Sequence, residues 1–241
     1  MTLLLSRRAC LGVLAAGALT PAVAGPSSAD IFADPGVAAL ADAALSRNAT
    51  RAAELVRAGT SPDARGAGDV TLLQWMMFNK SHIGFGILLN LGADPALTGL
   101  DGDSAVHFAA RANDTAYLSM LLERRVGVDP RNANTGRTPL MEALIGNRAV
   151  QVEMLREAGA RLDASDAMGN TPLHIAAQIG DSAQVLALLE HGAPPGARNR
   201  QGKTFQTYFF MTPERVLDAR ARAARQAVTA WLASRDIALE R

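Results

Sequence analysis

Asp166-Ala167-Met168-Gly169-Asn170-Thr171-Pro172-Leu173-His174-Ile175-Ala176-Ala177 decides the fold, because it holds a turn, a helix start and the first residues of a buried helical face. Thr171 can accept a hydrogen bond from an otherwise unpaired N–H of the first helical turn. Pro172 follows where its missing N–H is not needed. Working outward, counterparts of Thr171 stand at Thr71, Ser104, Thr138 and Thr204, at separations of 33, 34, 33 and 33 residues. Leucine pairs recur at Leu88-Leu89, Leu121-Leu122 and Leu188-Leu189, with Met154-Leu155 in the fourth register. Gly59, Gly92, Gly127, Gly159 and Gly192 mark the ends of second helices, where glycine suits a left-handed cap. Ala109, Ala143 and Ala176 let neighbouring helices approach, and Asn113 and Asn147 occupy the inter-helix turn where Gly180 sits. A unit of this period cannot bury its apolar face alone and must stack on copies of itself.

The Thr-Pro-Leu-His tetrapeptide at this spacing resembles the ankyrin repeat, over nearly all of residues 36–235. The resemblance implies an all-α fold, an ankyrin-repeat solenoid of stacked helix-turn-helix units with a C-terminal capping helix. Four well-formed units begin near Ala67, Leu100, Ala133 and Asp166. A degenerate helix pair spans about Val37 to Gly59, and a modified unit starts near Asn199. Departures from the pattern concentrate in two places: Thr71-Leu72-Leu73-Gln74 runs into the bulky Trp75-Met76-Met77-Phe78, and Thr204-Phe205-Gln206-Thr207 runs into Tyr208-Phe209-Phe210. Thr212-Pro213-Glu214 reads as a fresh helix start, leading to an Arg- and Ala-rich helix that ends about Ser234. Its Val216, Leu217, Val228, Trp231 and Leu232 are expected to pack it as a terminal cap.

At the other end, Arg7 and Arg8 precede an apolar run from Leu11 to Leu19, and Ala22-Val23-Ala24 follows. That is the layout of a secretory signal peptide, with a twin-arginine-like variant at Ser6-Arg7-Arg8-Ala9-Cys10-Leu11. Residues 1–24 are therefore expected to be cleaved, 25–35 to form a linker, 36–235 the repeat domain and 236–241 a tail. The run is too short for a stable membrane anchor, and the expected location is the periplasm. Cleavage removes the only cysteine, Cys10, and two arginines but no acid, taking the formal charge from +1 to −1. A near-neutral balance argues against nucleic acid as a partner.

The sequence offers no chemistry of its own. His107 and His174 hold the fourth tetrapeptide position, where the ankyrin resemblance implies hydrogen bonding to adjacent turns. His82 and His191 lack paired ligand spacing, and Asp101-Gly102-Asp103 lacks the rest of a calcium loop. The expectation is a protein that is not an enzyme, with no catalytic residue, no metal and no cofactor.

Binding is expected instead on a groove of turn tips and first helices. The turn tips contribute Asp101, Asp103, Asn134, Arg137, Met168, Asn170, Arg200 and Lys203. The first helices contribute Trp75, Phe78, Asn79, Arg111, Glu142, Gln178 and Tyr208. Large aromatics such as Trp75 and Tyr208 dominate interfaces when desolvated. The stretches Leu72–Ser81 and Gly202–Glu214 resemble ankyrin proteins encoded beside type VI secretion phospholipase effectors. That resemblance implies a periplasmic immunity protein whose partner is the secreted phospholipase. The alternative is a periplasmic scaffold or protective factor, such as a catalase-associated ankyrin protein.

Overall fold

Each capping residue found in the sequence sits in extended backbone at the head of a short helix: Thr71, Ser104, Thr138, Thr171 and Thr204 have ψ between 158 and 172°. The computed structural model describes residues 25–240, so the signal-peptide expectation for 1–24 lies outside the described residues. The chain divides into two compact units, before and after the boundary between Ala93 and Asp94. In unit 1, α1 (Ser28–Ile31) precedes the antiparallel pairs α2 (Pro35–Leu45) with α3 (Ala49–Arg57) and α4 (Leu72–Phe78) with α5 (His82–Asn90). Unit 2 holds α6 (Ala105–Arg111), α7 (Ala116–Glu123), α8 (Pro139–Ile145), α9 (Ala149–Glu157), α10 (Pro172–Gln178), α11 (Ser182–Glu190), α12 (Phe205–Phe209) and α13 (Ala219–Ala233). The expected helical repeat architecture is present in both units.

Most of these helices are seven to nine residues long, too short to persist alone in water, so packing holds them. Leu40, Leu72, Met76, Phe85 and Leu88 are fully buried in unit 1, as are Leu118, Leu121, Leu140, Leu155, Phe205 and Leu232 in unit 2. In unit 2 the turns that precede the first helices add a second bond between repeats. The N–H of Ala133 donates to the Gly102 carbonyl (2.8 Å), Ala167 to Thr135 (2.8 Å) and Arg200 to Met168 (3.0 Å). Gly136 (φ 67°) and Gly169 (φ 79°) belong to these turns. A Cβ on either would meet the backbone N of the next turn at 2.9 or 2.8 Å, so conformation and close approach both require glycine.

The tetrapeptide histidines tie the same turns together. His107 Nδ1 accepts from the Ser104 N–H (3.1 Å) and meets the Ser104 hydroxyl (2.8 Å), and its Nε2 lies 2.9 Å from the Arg137 carbonyl. His174 repeats the arrangement with Thr171 and the Lys203 carbonyl. Because Nδ1 accepts from a backbone N–H, Nε2 must carry the proton and donate onward, so each ring is held neutral. Burial pushes both imidazoles below their ordinary value of 6.5, against the opposing pull of the carbonyls and of Asp103 on His107 and Asp166 on His174. In unit 1, Gln74 fills the corresponding position and accepts from the Thr71 N–H at 3.1 Å.

Several boundaries differ from the sequence reading. The stretch expected to be a linker, 25–35, contains α1, and Ser28, Ile31 and Phe32 are buried. Thr212-Pro213-Glu214 leads only into a 3-10 turn (Glu214–Val216), with Val216 62% exposed. The long helix begins at Ala219, capped by Asp218, whose carboxylate accepts from the Ala221 N–H at 2.7 Å. In the third repeat the left-handed residue after the second helix is Arg125 (φ 55°) rather than Gly127, because the exit there is longer. Its inter-helix turn leaves α6 through extended Ala112 (ψ 156°), whereas Asn147 and Gly180 are left-handed.

A histidine whose folded pKa lies below its unfolded value contributes stability that is complete above the unfolded value and lost as pH falls through the folded one. We therefore expect unit 2 to lose stability as pH drops below about 6.5. The double variant His107→Gln/His174→Gln, which borrows the residue of Gln74, should show a flatter decline between pH 7 and pH 5 in urea melts. Equal declines in wild type and variant would remove the histidines as the cause.

Candidate functional site

In unit 2 the first helices place side chains against the turn tips, which makes one face from two kinds of element. Arg111, in the last turn of α6, pairs with the Asp103 carboxylate at the tip and lies 3.6 Å from Glu142 Oε2 on α8. Arg137 Nη1 is 3.6 Å from Glu142 Oε1. The Arg111 guanidinium stacks on Phe108, 4.2 Å from the ring centroid. Asn132 completes the cluster, donating to Asp103 Oδ1 at 2.6 Å and to the Asp101 carbonyl at 3.0 Å. The Arg137 Nε–H is buried with no acceptor among the described residues, so this guanidinium retains a donor.

A second cluster is built on Asn170, whose side-chain amide donates to the buried Asp166 carboxylate (3.2 Å). Asn170 Oδ1 accepts from Gln178 Nε2 (3.2 Å) and Asn199 Nδ2 (3.0 Å). Asn199 also donates to the Tyr208 hydroxyl at 2.8 Å, while Lys203 Nζ lies 5.9 Å above the Tyr208 ring. Tyr208 is thus half-buried, with one edge on the face and its hydroxyl spoken for.

Three expected contacts are corrected by burial. Trp75 is 6% exposed, because residues 27–32 cover it. Its indole N–H donates to Ser28 Oγ (3.2 Å) and its ring meets Phe32 edge-on at 6.2 Å. Asp103 and Asn170 are buried too, their polar atoms consumed by the clusters above. Phe78 and Asn79 are exposed in unit 1; Asp101, Asn134, Met168, Gln178, Arg200 and Lys203 are exposed in unit 2. Arg111, Arg137 and Glu142 are partly exposed. Sequence reading missed the exposure of Ile145 (39%), the last residue of α8, and Ile179 (44%), which caps α10; both line a cleft with Asp218 and Arg220, at the helix ends away from the tips. Their signal was an apolar residue seven or eight places after the capping threonine, beyond the positions that pack inward. Among the described residues no group of three or more His, Cys, Asp or Glu side chains could hold a metal ion. No helix of the described residues is long and apolar enough to cross a membrane.

A family profile described as ankyrin repeats in three copies matches residues 64–166, and one for a single ankyrin repeat matches residues 168–200. Protein PhlB of Serratia liquefaciens is 43% identical over 132 residues, which are 55% of this chain and 58% of that protein. NF-kappa-B inhibitor alpha of Gallus gallus is 39% identical over 98 residues, 39% of this chain and 30% of that one. The chain thus spans less than two thirds of either relative. The ankyrin repeat domain of Bcl-3, of the IkappaB protein family, superposes with a TM-score of 0.65 at 25% identity, covering 78% of this chain and 81% of that one. An ankyrin repeat domain from Acinetobacter baumannii has the same fold at 24% identity, with a TM-score of 0.63 over 81% of this chain and 96% of that one.

Burial separates core from contact experimentally. Trp75→Ala should cost about 3–5 kcal/mol of stability, read in a denaturant melt. Met168→Ala, at an exposed tip, should change it by less than about 0.5 kcal/mol. A Trp75→Ala chain as stable as wild type would return Trp75 to the list of surface contacts.

Proposed function

The chain belongs to the ankyrin-repeat family, and we propose that it uses the tip and first-helix face of unit 2 to bind and neutralise a type VI secretion phospholipase toxin in the periplasm. The observation that carries this reading is the irregular sequence Gly202–Glu214, which resembles immunity ankyrin proteins and contributes Lys203 and Tyr208 to that face. Leu72–Ser81 supports it from unit 1. A similar protein named as an inhibitor of NF-kappa-B supports a neutralising mode of action.

The physical chemistry of the face suits such a task. Exposed Met168 offers apolar area at a tip, and Arg137, Arg200 and Lys203 of the tips carry positive charge. Complementary charge speeds encounter and rejects wrong partners, while buried apolar area holds the complex. The tips are tied to one another before any partner arrives, so little conformational entropy is lost on binding. A lipase that attacks membrane lipids from the periplasm has to be blocked in the periplasm, which is where residues 1–24 would send the chain.

Co-expression with the phospholipase encoded beside it should restore growth, provided residues 1–24 are present. The double charge reversal Arg200→Glu/Lys203→Glu should weaken the purified complex about tenfold or more, a loss of roughly 1.4 kcal/mol, without lowering the melting temperature. No rescue together with no complex by titration calorimetry would end this reading.

A further inference from the structure

Gln206 on α12 is 2% exposed, and both the nitrogen and the oxygen of its amide are bonded to a segment far along the chain. Its Nε2 donates to the Ala238 carbonyl at 3.1 Å, and its Oε1 accepts from the Glu240 N–H at 3.1 Å. A side-chain amide that grips the carbonyl of one residue and the N–H two places on acts like a rung of a β-ladder. Such a grip reads backbone and is indifferent to side-chain identity. Selectivity comes from the next contact. The Glu240 carboxylate accepts from Thr204 Oγ1 (2.6 Å) and from Arg198 Nη2 (2.8 Å), a hydroxyl and a guanidinium converging on one anion. The tail at 236–240 is therefore docked, not loose.

The docking is incomplete in two respects. Leu239, between the two gripped residues, stays 37% exposed at the wall of a cleft of about 900 Å3 that Phe210, Met211 and Ala233 also line. Met211 there is 65% exposed, so the tail leaves apolar wall uncovered. The Arg198 and Glu240 side chains keep 58% and 36% of their surface in water, which screens the pair. The tail is joined to α13 through a short turn in which Asp236 has φ 55°, a conformation that an L side chain seldom adopts.

We propose that this end of unit 2, beside the last tip, is a second docking site for an extended acidic segment of a protein partner. The chain's own residues 238–240 occupy it until such a segment displaces them. Gln206 would hold the partner's backbone, Arg198 and Thr204 its carboxylate, and the open cleft a larger apolar side chain than Leu239. The site stands whether or not the partner is a phospholipase.

The test uses the full chain and a fluorescent peptide with the sequence of residues 236–241. Glu240→Ala removes the carboxylate of the resident tail, so this variant should bind the peptide saturably in fluorescence anisotropy. Wild type should bind it about tenfold more weakly or worse, because the tethered tail competes at high effective concentration. Adding Arg198→Ala, or replacing the peptide's glutamate by glutamine, should weaken binding several-fold. A Glu240→Ala chain that melts like wild type and binds no peptide overturns the proposal, as does equal binding after Arg198→Ala. Should the variant fold poorly, wild type decides: saturating peptide should speed hydrogen exchange at the Glu240 amide, and unchanged exchange would overturn the site. Concentration-dependent dimers with no peptide binding would assign the site to a second copy and refute the partner reading.

Discussion

The hydrogen bonds that run from turn tip to turn tip are the constraint on which unit 2 depends. Helices of seven residues cannot hold their own geometry, and apolar burial alone would let neighbouring pairs slide. The N–H of Ala133, Ala167 and Arg200 each finds a carbonyl on the preceding tip, which fixes the offset between repeats. His107 and His174 add a second tie one layer deeper, joining the start of one helix to the following turn. Glycines at 136 and 169 are the price of that closeness.

Because the tips are fixed, the side chains they carry form a face with set spacings. Asp103 and Glu142 hold Arg111 and Arg137 in place from below, so the guanidinium groups are oriented rather than free to wander. Asn170 and Asn199 do the same for Gln178 and Tyr208 through neutral hydrogen bonds. Residues that look like contacts in the sequence thus split into two roles. Buried Asp103 and Asn170 position their neighbours, whereas Met168, Arg200 and Lys203 are exposed.

The repeat was legible because its signals are local and recur: a capping hydroxyl, a proline in the first turn and a leucine pair each act within a few residues. What covers Trp75 was not legible. Its burial depends on Ser28 and Phe32, more than forty residues earlier, in a stretch whose composition reads as a linker. The docked tail was hidden for the same reason, since Gln206 and Glu240 are paired only through the fold. Ile145 and Ile179 were overlooked because the repeat pattern assigns apolar residues to the core, and exposure at a helix end depends on where the next helix turns away.

Amide hydrogen exchange at Ala133, Ala167 and Arg200 tests the account most directly. If the tips are locked into a ladder before any partner binds, these three amides should exchange as slowly as those of the buried helices of unit 2, through opening of the whole unit. Exchange near the rate of an unstructured chain would mean that the tips open independently, and the face would then be assembled by its partner instead of offered to it.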